Sequence, residues 1–147
     1  MAGFDVTVTP TVTAGAYTAG EIMGGLLTFR TGTANTVLIN EVSVMLKVAV
    51  TPALTLVLFT ADPAATTKTD NAAYSLNAAD AFKVRKSIPL STLYDHGTPN
   101  EYSSGPINVI ATPAGGDDRL YGLLIDGTGV TLVGTSDVQV RIAGVPA

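Results

Sequence analysis

Residues 36–50 carry the clearest strand signal, an alternation with a period of two. Val42, Val44, Leu46, Val48 and Val50 share one face, and Glu41, Ser43, Met45, Lys47 and Ala49 share the other. Successive side chains of a strand point to opposite sides, so this run predicts a long strand with one buried face. Residues 137–142 repeat the pattern, with Val138, Val140 and Ile142 inward and Asp137, Gln139 and Arg141 outward. A shorter copy stands near the start, where Val6 and Val8 oppose Asp5, Thr7 and Thr9.

Two further runs are apolar without a break, residues 54–59 and 120–125. Such runs suit strands covered on both faces, by a second sheet or by a neighbouring subunit. Residues 22–29 read as a strand softened by Gly24 and Gly25, which point to a bulge or a close backbone approach. Residues 82–88 and 107–112 carry fainter strand signals. Turn residues separate the runs: Thr51-Pro52, Ser104-Gly105-Pro106, Pro113-Ala114-Gly115-Gly116, and Asp126-Gly127-Thr128-Gly129, the last read as a hairpin joining two strands. About eight strands at this spacing predict an all-β, antiparallel sandwich, with a jelly roll as the expected order. The whole chain, 1–147, reads as one domain, and residues 1–13 as an N-terminal arm or an edge strand. One short helix is expected in a connection: Asn77 caps it, Ala78, Ala79, Asp80, Ala81 and Phe82 follow, and Asp80 faces the free amides and positive end of the dipole.

Charged residues make up 14% of the chain, well below the ~25% of ordinary soluble domains. So few charges cannot cover a monomer's surface in the usual way, and the expectation is a subunit that hides apolar surface in an assembly. The alternative is a neutral, threonine-rich monomer. Net charge is −4, and the only local basic cluster is Lys83, Arg85 and Lys86. A phosphate-binding protein shows a basic stripe, so nucleic acid is not an expected partner. The chain has no cysteine, which removes disulfides, thiolate metal sites and a cysteine nucleophile. Its first residues carry no basic and apolar signal pattern. No apolar run approaches the ~20 residues that span a bilayer. The expectation is a protein made in the cytoplasm, with no membrane partner.

Residues that carry chemistry are sparse. His96 is the only histidine; its neighbour Asp95 points the other way along the chain, so the two make no catalytic dyad. Asp117-Asp118 is the only acidic doublet, and it reads as a turn before a strand. Gly127, Gly129 and Gly134 lack the strand-then-helix context of a dinucleotide fingerprint. Tyr94 and Tyr102 stand in one loop region and could form a small platform for a sugar, against the plainer reading of half-buried tyrosines with wet hydroxyls. No enzyme, no cofactor and no metal is the expectation.

The stretch Leu58-Phe59-Thr60-Ala61-Asp62-Pro63-Ala64-Ala65-Thr66-Thr67-Lys68-Thr69-Asp70-Asn71-Ala72-Ala73-Tyr74, and the start Phe4-Asp5-Val6-Thr7-Val8-Thr9-Pro10 followed by Ala14-Gly15-Ala16-Tyr17-Thr18-Ala19-Gly20-Glu21, are distinctive. In layout, along nearly the whole chain, it resembles small β-sandwich structural proteins of tailed bacteriophages. The resemblance implies a virion protein, foremost a head decoration or cement protein that binds the major capsid protein and sits on the lattice as a homotrimer. A tail-tube, neck or baseplate subunit, or a glycan-binding module on the virion, are the other stations it leaves open. Phe4, Val6 and Val8 are the expected assembly contacts, with Asp62, Asp70 and Asn71 of the second segment beside them, although Asp70 and Asn71 by themselves read as turn formers.

Overall fold

Two antiparallel sheets pack face to face in the computed structural model, which describes residues 3–147. The strands are β1 (Phe4–Val8), β2 (Glu21–Ile22), β3 (Leu27–Arg30), β4 (Val37–Leu46), β5 (Leu54–Phe59), β6 (Val84–Leu90), β7 (Thr92–Asp95), β8 (Asn100–Ser103), β9 (Val109–Ala111), β10 (Arg119–Asp126) and β11 (Val138–Pro146). One sheet runs β1-β11-β4-β8-β7, with β9 also on β4; the other runs β2-β10-β5-β6, with β3 also on β10. β2 and β3 lie end to end along β10, and β8 and β9 end to end along β4. The eleven segments therefore fill the eight positions of a jelly roll, with β7 as an added edge. Apart from the β5–β6 and β7–β8 hairpins and the two interrupted positions, every connection changes sheet, as that topology requires.

The long alternation becomes β4, and it contains a break at Asn40. Val37 and Ile39 are buried at odd positions, Val42, Val44 and Leu46 at even ones. A β-bulge makes the change: Glu41 pairs with Ala143 and Ile39 with Gly144, so Asn40 is the extra residue. The strand ends at Leu46, although Val48 and Val50 still pack against the core. Facing it, Val138, Val140 and Ile142 of β11 are wholly buried, as their alternation predicts.

The continuous runs are β5 and β10, and both of their faces are covered. Leu54, Leu56, Leu58, Leu120 and Leu124 join the core between the sheets. Val57, Phe59 and Leu123 join Ile22 in a second cluster on the outer face. Leu26 and Tyr74 of the same chain pack on that cluster, so the cover there is the chain itself and not a neighbouring subunit. Each such side chain contributes about 1.5–3 kcal/mol by leaving water.

Three local expectations change. Residues 22–29 break into β2 and β3 at Gly24 and Gly25, both at positive φ. Asp126–Gly129 makes no hairpin: β10 already has β5 on one edge and β2 and β3 on the other, so the chain leaves for the opposite sheet. The loop region expected to hold Tyr94 and Tyr102 is the hairpin β7–β8. The expected short helix is present, as a 3-10 helix, Ala78–Lys83, capped by Asn77, whose side chain accepts from the Ala79 amide.

Residues 3–13 form an edge strand and its continuation, built into the sandwich. β1 pairs with β11 in register, and Phe4, Val6 and Val8 pack against the main core. Arg141 clamps the strand from outside: its Nε and Nη2 donate to the two Asp5 carboxylate oxygens at 2.7 and 2.8 Å, and its Nη1 reaches Glu41 at 3.2 Å. That bidentate contact holds the Asp5 carboxyl below the usual carboxylate range. Met1 and Ala2, the first residues of the expected arm or edge strand, lie outside the described residues.

Candidate functional site

Six aspartates hold the loops of the sandwich by accepting from main-chain amides. Asp95 accepts from Gly97, Asp117 from Arg119, Asp126 from Thr128 and Gly129, and Asp137 from Val133 and Gly134, all through main-chain amides. These are Asx-type turns, in which a short carboxylate mimics a backbone acceptor. Asp118, the second half of the doublet, pairs with Arg30 at 2.7 Å. The buried Asp126 leaves its Oδ2 without a partner, and Asn100 does the same with its Oδ1.

The other two, Asp70 and Asp80, fasten the long connection between β5 and β6, the segment that carries the resemblance. Residues 71–74 run beside β2 as a makeshift strand: the Asn71 amide donates to Ile22, Ile22 donates to Ala72, and Tyr74 donates to Gly20. Asn71 occupies the left-handed region at φ 61°, which asparagine tolerates better than most residues. This path carries the Asp70 carboxylate over the N-terminal segment. There it accepts from Thr13 Oγ1 at 2.6 Å, Tyr17 Oη at 2.7 Å and the Gly24 amide at 2.6 Å. Gly24 has to be glycine, because a Cβ there would stand 2.4 Å from Pro10. Burial and the Asp70 carboxylate push the Tyr17 hydroxyl up to about 12.

Asp80 anchors the other end. Its side chain does not bond the helix amides, as expected from sequence, but turns inward to the Ala65 amide at 3.0 Å, Thr66 Oγ1 at 2.7 Å and Lys83 Nζ at 2.8 Å. The Lys83 ammonium, then the Thr66 hydroxyl, hold its carboxyl below the usual range. Lys83 also donates to the Asp62 carbonyl, and the Asp62 carboxylate pairs with Lys68 at 3.0 Å. The expected contact residues thus differ in kind. Asp70 is a half-buried internal staple and Asn71 its turn former, while Asp62 remains exposed beside Lys68.

Tyr94 and Tyr102 share no platform. They lie on adjacent strands but are offset by one position, Tyr94 opposite Glu101 and Tyr102 opposite Leu93, so they face opposite ways. Tyr102 is 5% exposed in the core and Tyr94 is 64% exposed. Tyr94 meets His96 instead in a tilted ring contact, with centroids 4.7 Å apart, and His96 meets Glu101 at 3.1 Å. Asp95 is occupied with the Gly97 amide, so no Asp–His dyad forms.

What the sequence reading missed is the tip of the connection. Leu76 is 37% exposed, and Phe82 projects fully into solvent among the exposed Ala78, Ala79 and Ala81. The signal was available in Asn77 and Asp80: a capped, stapled turn holds Phe82 outward instead of letting it fold back. Among the described residues no group of three His, Cys, Asp or Glu side chains is placed to hold a metal. The arrangement is a rigid body with stapled loops and an apolar tip. No family model and no curated protein matches this chain.

Proposed function

We propose that this chain is a structural protein of a tailed-phage virion, a decoration or cement protein that reinforces the head by binding the major capsid protein and copies of itself, as a homotrimer. The observation that carries the reading is the apolar tip at Leu76–Phe82, held out from a sparsely charged jelly roll by buried Asp80. A wholly exposed phenylalanine on a rigid turn is what an interface uses as an anchor, and solvent alone gives it nothing to do. Jelly rolls serve in capsids and also in lectins, so the fold supports the reading by analogy only. The resemblance of residues 58–74 and of the N-terminal segment adds to it. On this reading the protein is made in the host cytoplasm, resides in the virion and has no catalytic role.

Electron cryo-microscopy of the particle that contains this chain tests the reading. Copies should follow the head lattice in groups of three, and light scattering on the purified protein or on its complex with heads should count three chains of 15.0 kDa. Sixfold rings in the tail would replace the head assignment with a tube subunit. Absence from particles would overturn the virion reading.

A further inference from the structure

Two buried side-chain oxygens at one end of the sandwich lack hydrogen-bond partners, Oδ2 of Asp126 and Oδ1 of Asn100. Asp126 is 0% exposed and Asn100 4%. Asp126 ends β10 and shares its face with the core residues Leu120 and Leu124, so it points toward the opposite sheet. The Thr128 and Gly129 amides and the Thr128 hydroxyl converge on its Oδ1, which leaves Oδ2 to the interior. Asn100 opens β8 and shares its face with the buried Tyr102, so it points back from the first sheet. Its Nδ2 donates to the Val50 carbonyl at 2.9 Å, which fixes the amide, since a flip would set Oδ1 against that carbonyl oxygen. The crossing from β4 to β5 ties the two residues together. Asn100 holds Val50, and Gly127 and Thr128, beside Asp126, hold Ala53. Three residues of chain span at most about 10 Å, so both oxygens belong to the same end of the interior. Burial, then the Asp126 charge, push the Tyr102 hydroxyl above its ordinary range, which brings that hydroxyl near the carboxylate as well. Among the described residues no cationic side chain pairs with Asp126.

We infer that this end of the sandwich binds a monovalent alkali cation, held between the sheets by Asp126 Oδ2 and Asn100 Oδ1. A buried carboxylate without a countercharge is costly, and buried charges are paired or bind a metal ion. Hard cations take oxygen ligands, carboxylate and amide oxygens among them. One carboxylate with neutral oxygens matches a single positive charge. A divalent ion asks for more anionic ligands, and among the described residues no group of three His, Cys, Asp or Glu side chains supplies them. A water molecule would donate to both oxygens but would leave the charge uncompensated. The ion has a way in: a depression of about 340 Å³, lined by Ala53, Leu54, Leu90 and Tyr102 among others, opens beside the pair. Leu54 is the cross-strand neighbour of Asp126. The inference concerns the isolated chain and stands apart from the virion reading.

Thermal melts of the purified protein in sodium, potassium and tetramethylammonium chloride at equal ionic strength test it. Screening is the same in all three, but tetramethylammonium is too bulky to sit between two oxygens. The midpoint should stand at least about 3 °C higher in one alkali chloride than in tetramethylammonium chloride, and the rise should saturate as for a single site. Asp126→Asn keeps an acceptor for the Thr128 and Gly129 amides and turns a donor inward, and it should melt at one temperature in all three salts. Asn100→Ala should raise the alkali concentration needed for half the effect about tenfold. Asp62→Asn, which alters an exposed carboxylate, should keep the full difference of the parent. Crystals of the parent soaked in thallium(I), an alkali mimic with strong anomalous scattering, should show a peak at Asp126 Oδ2, whether or not the variants fold. Equal midpoints in the three salts, a difference that survives Asp126→Asn, or no peak at Asp126 would overturn the inference.

Discussion

Asp70→Ala should destabilise the protein by about 3 kcal/mol, although the residue lies in a surface connection. Its carboxylate takes three short hydrogen bonds, from Thr13, Tyr17 and Gly24, which tie residues 13–24 to the β5–β6 connection. A hydrogen bond to a charged group is worth about 1.5–3 kcal/mol, so three independent ones would sum to well above the expected loss. They are not independent, and the site is half-buried, so water reaches some of the abandoned donors. Tyr17, 5% exposed, is the donor with least access to water, and its hydroxyl also accepts from the Thr13 amide at 2.8 Å. Urea melts followed by circular dichroism measure the loss, and an unchanged m-value would show that the sandwich itself persists. Asp70→Asn keeps one carbonyl acceptor and should lose about half as much. A Tyr17→Phe and Asp70→Ala cycle should give a coupling energy of about 1 kcal/mol. If Asp70→Ala lies within about 0.5 kcal/mol of the parent, the staple is ornamental and the reasoning fails.

Stability should also fall between pH 10 and about 12. Tyr17 keeps its proton in the folded chain after the unfolded chain has lost it, so its contribution is complete below pH 10 and is lost as the pH rises; after screening by solvent this amounts to about 1–2 kcal/mol, and Tyr17→Phe should remove that part of the alkaline slope. Val44→Asp places an unpaired charge in the main core and should cost several kcal/mol or abolish folding, while Lys47→Ala should stay within about 0.5 kcal/mol; similar losses in urea melts at both would mean that the outer face of β4 is covered too. Gly144→Ala should cost about 2–3 kcal/mol in the same assay, since a Cβ would stand 2.2 Å from the Leu38 carbonyl and 2.8 Å from the Phe4 ring; a neutral result would mean that the β-bulge can slide.

The sequence by itself determined the architecture, because side-chain periodicity is a local property. Val42, Val44 and Leu46 alternate whatever they pack against, and so do Val138, Val140 and Ile142. The continuous runs announced β5 and β10 as strands covered twice, and Asn77 announced its cap. Tertiary structure decided everything that depends on a partner distant in the chain. The bulge at Asn40 lies where β11 places Gly144, and in residues 36–50 the change of parity shows only as the polar pair Asn40-Glu41 between Ile39 and Val42, which does not reveal how the partner strand takes up the extra residue. Whether Asp126–Gly129 closes a hairpin depends on which edges of β10 are already taken. Tyr94 and Tyr102 are near in sequence, but hairpin register turns them to opposite faces. Asp70 and Asp80 read as turn and helix-start residues, and became staples because the fold brings Thr13, Tyr17 and Gly24 to one and Thr66 and Lys83 to the other. The small basic cluster was legible, but not its pairing: Lys83 found its carboxylate in Asp80, while Arg85 and Lys86, at the end of a sheet, have none among the described residues.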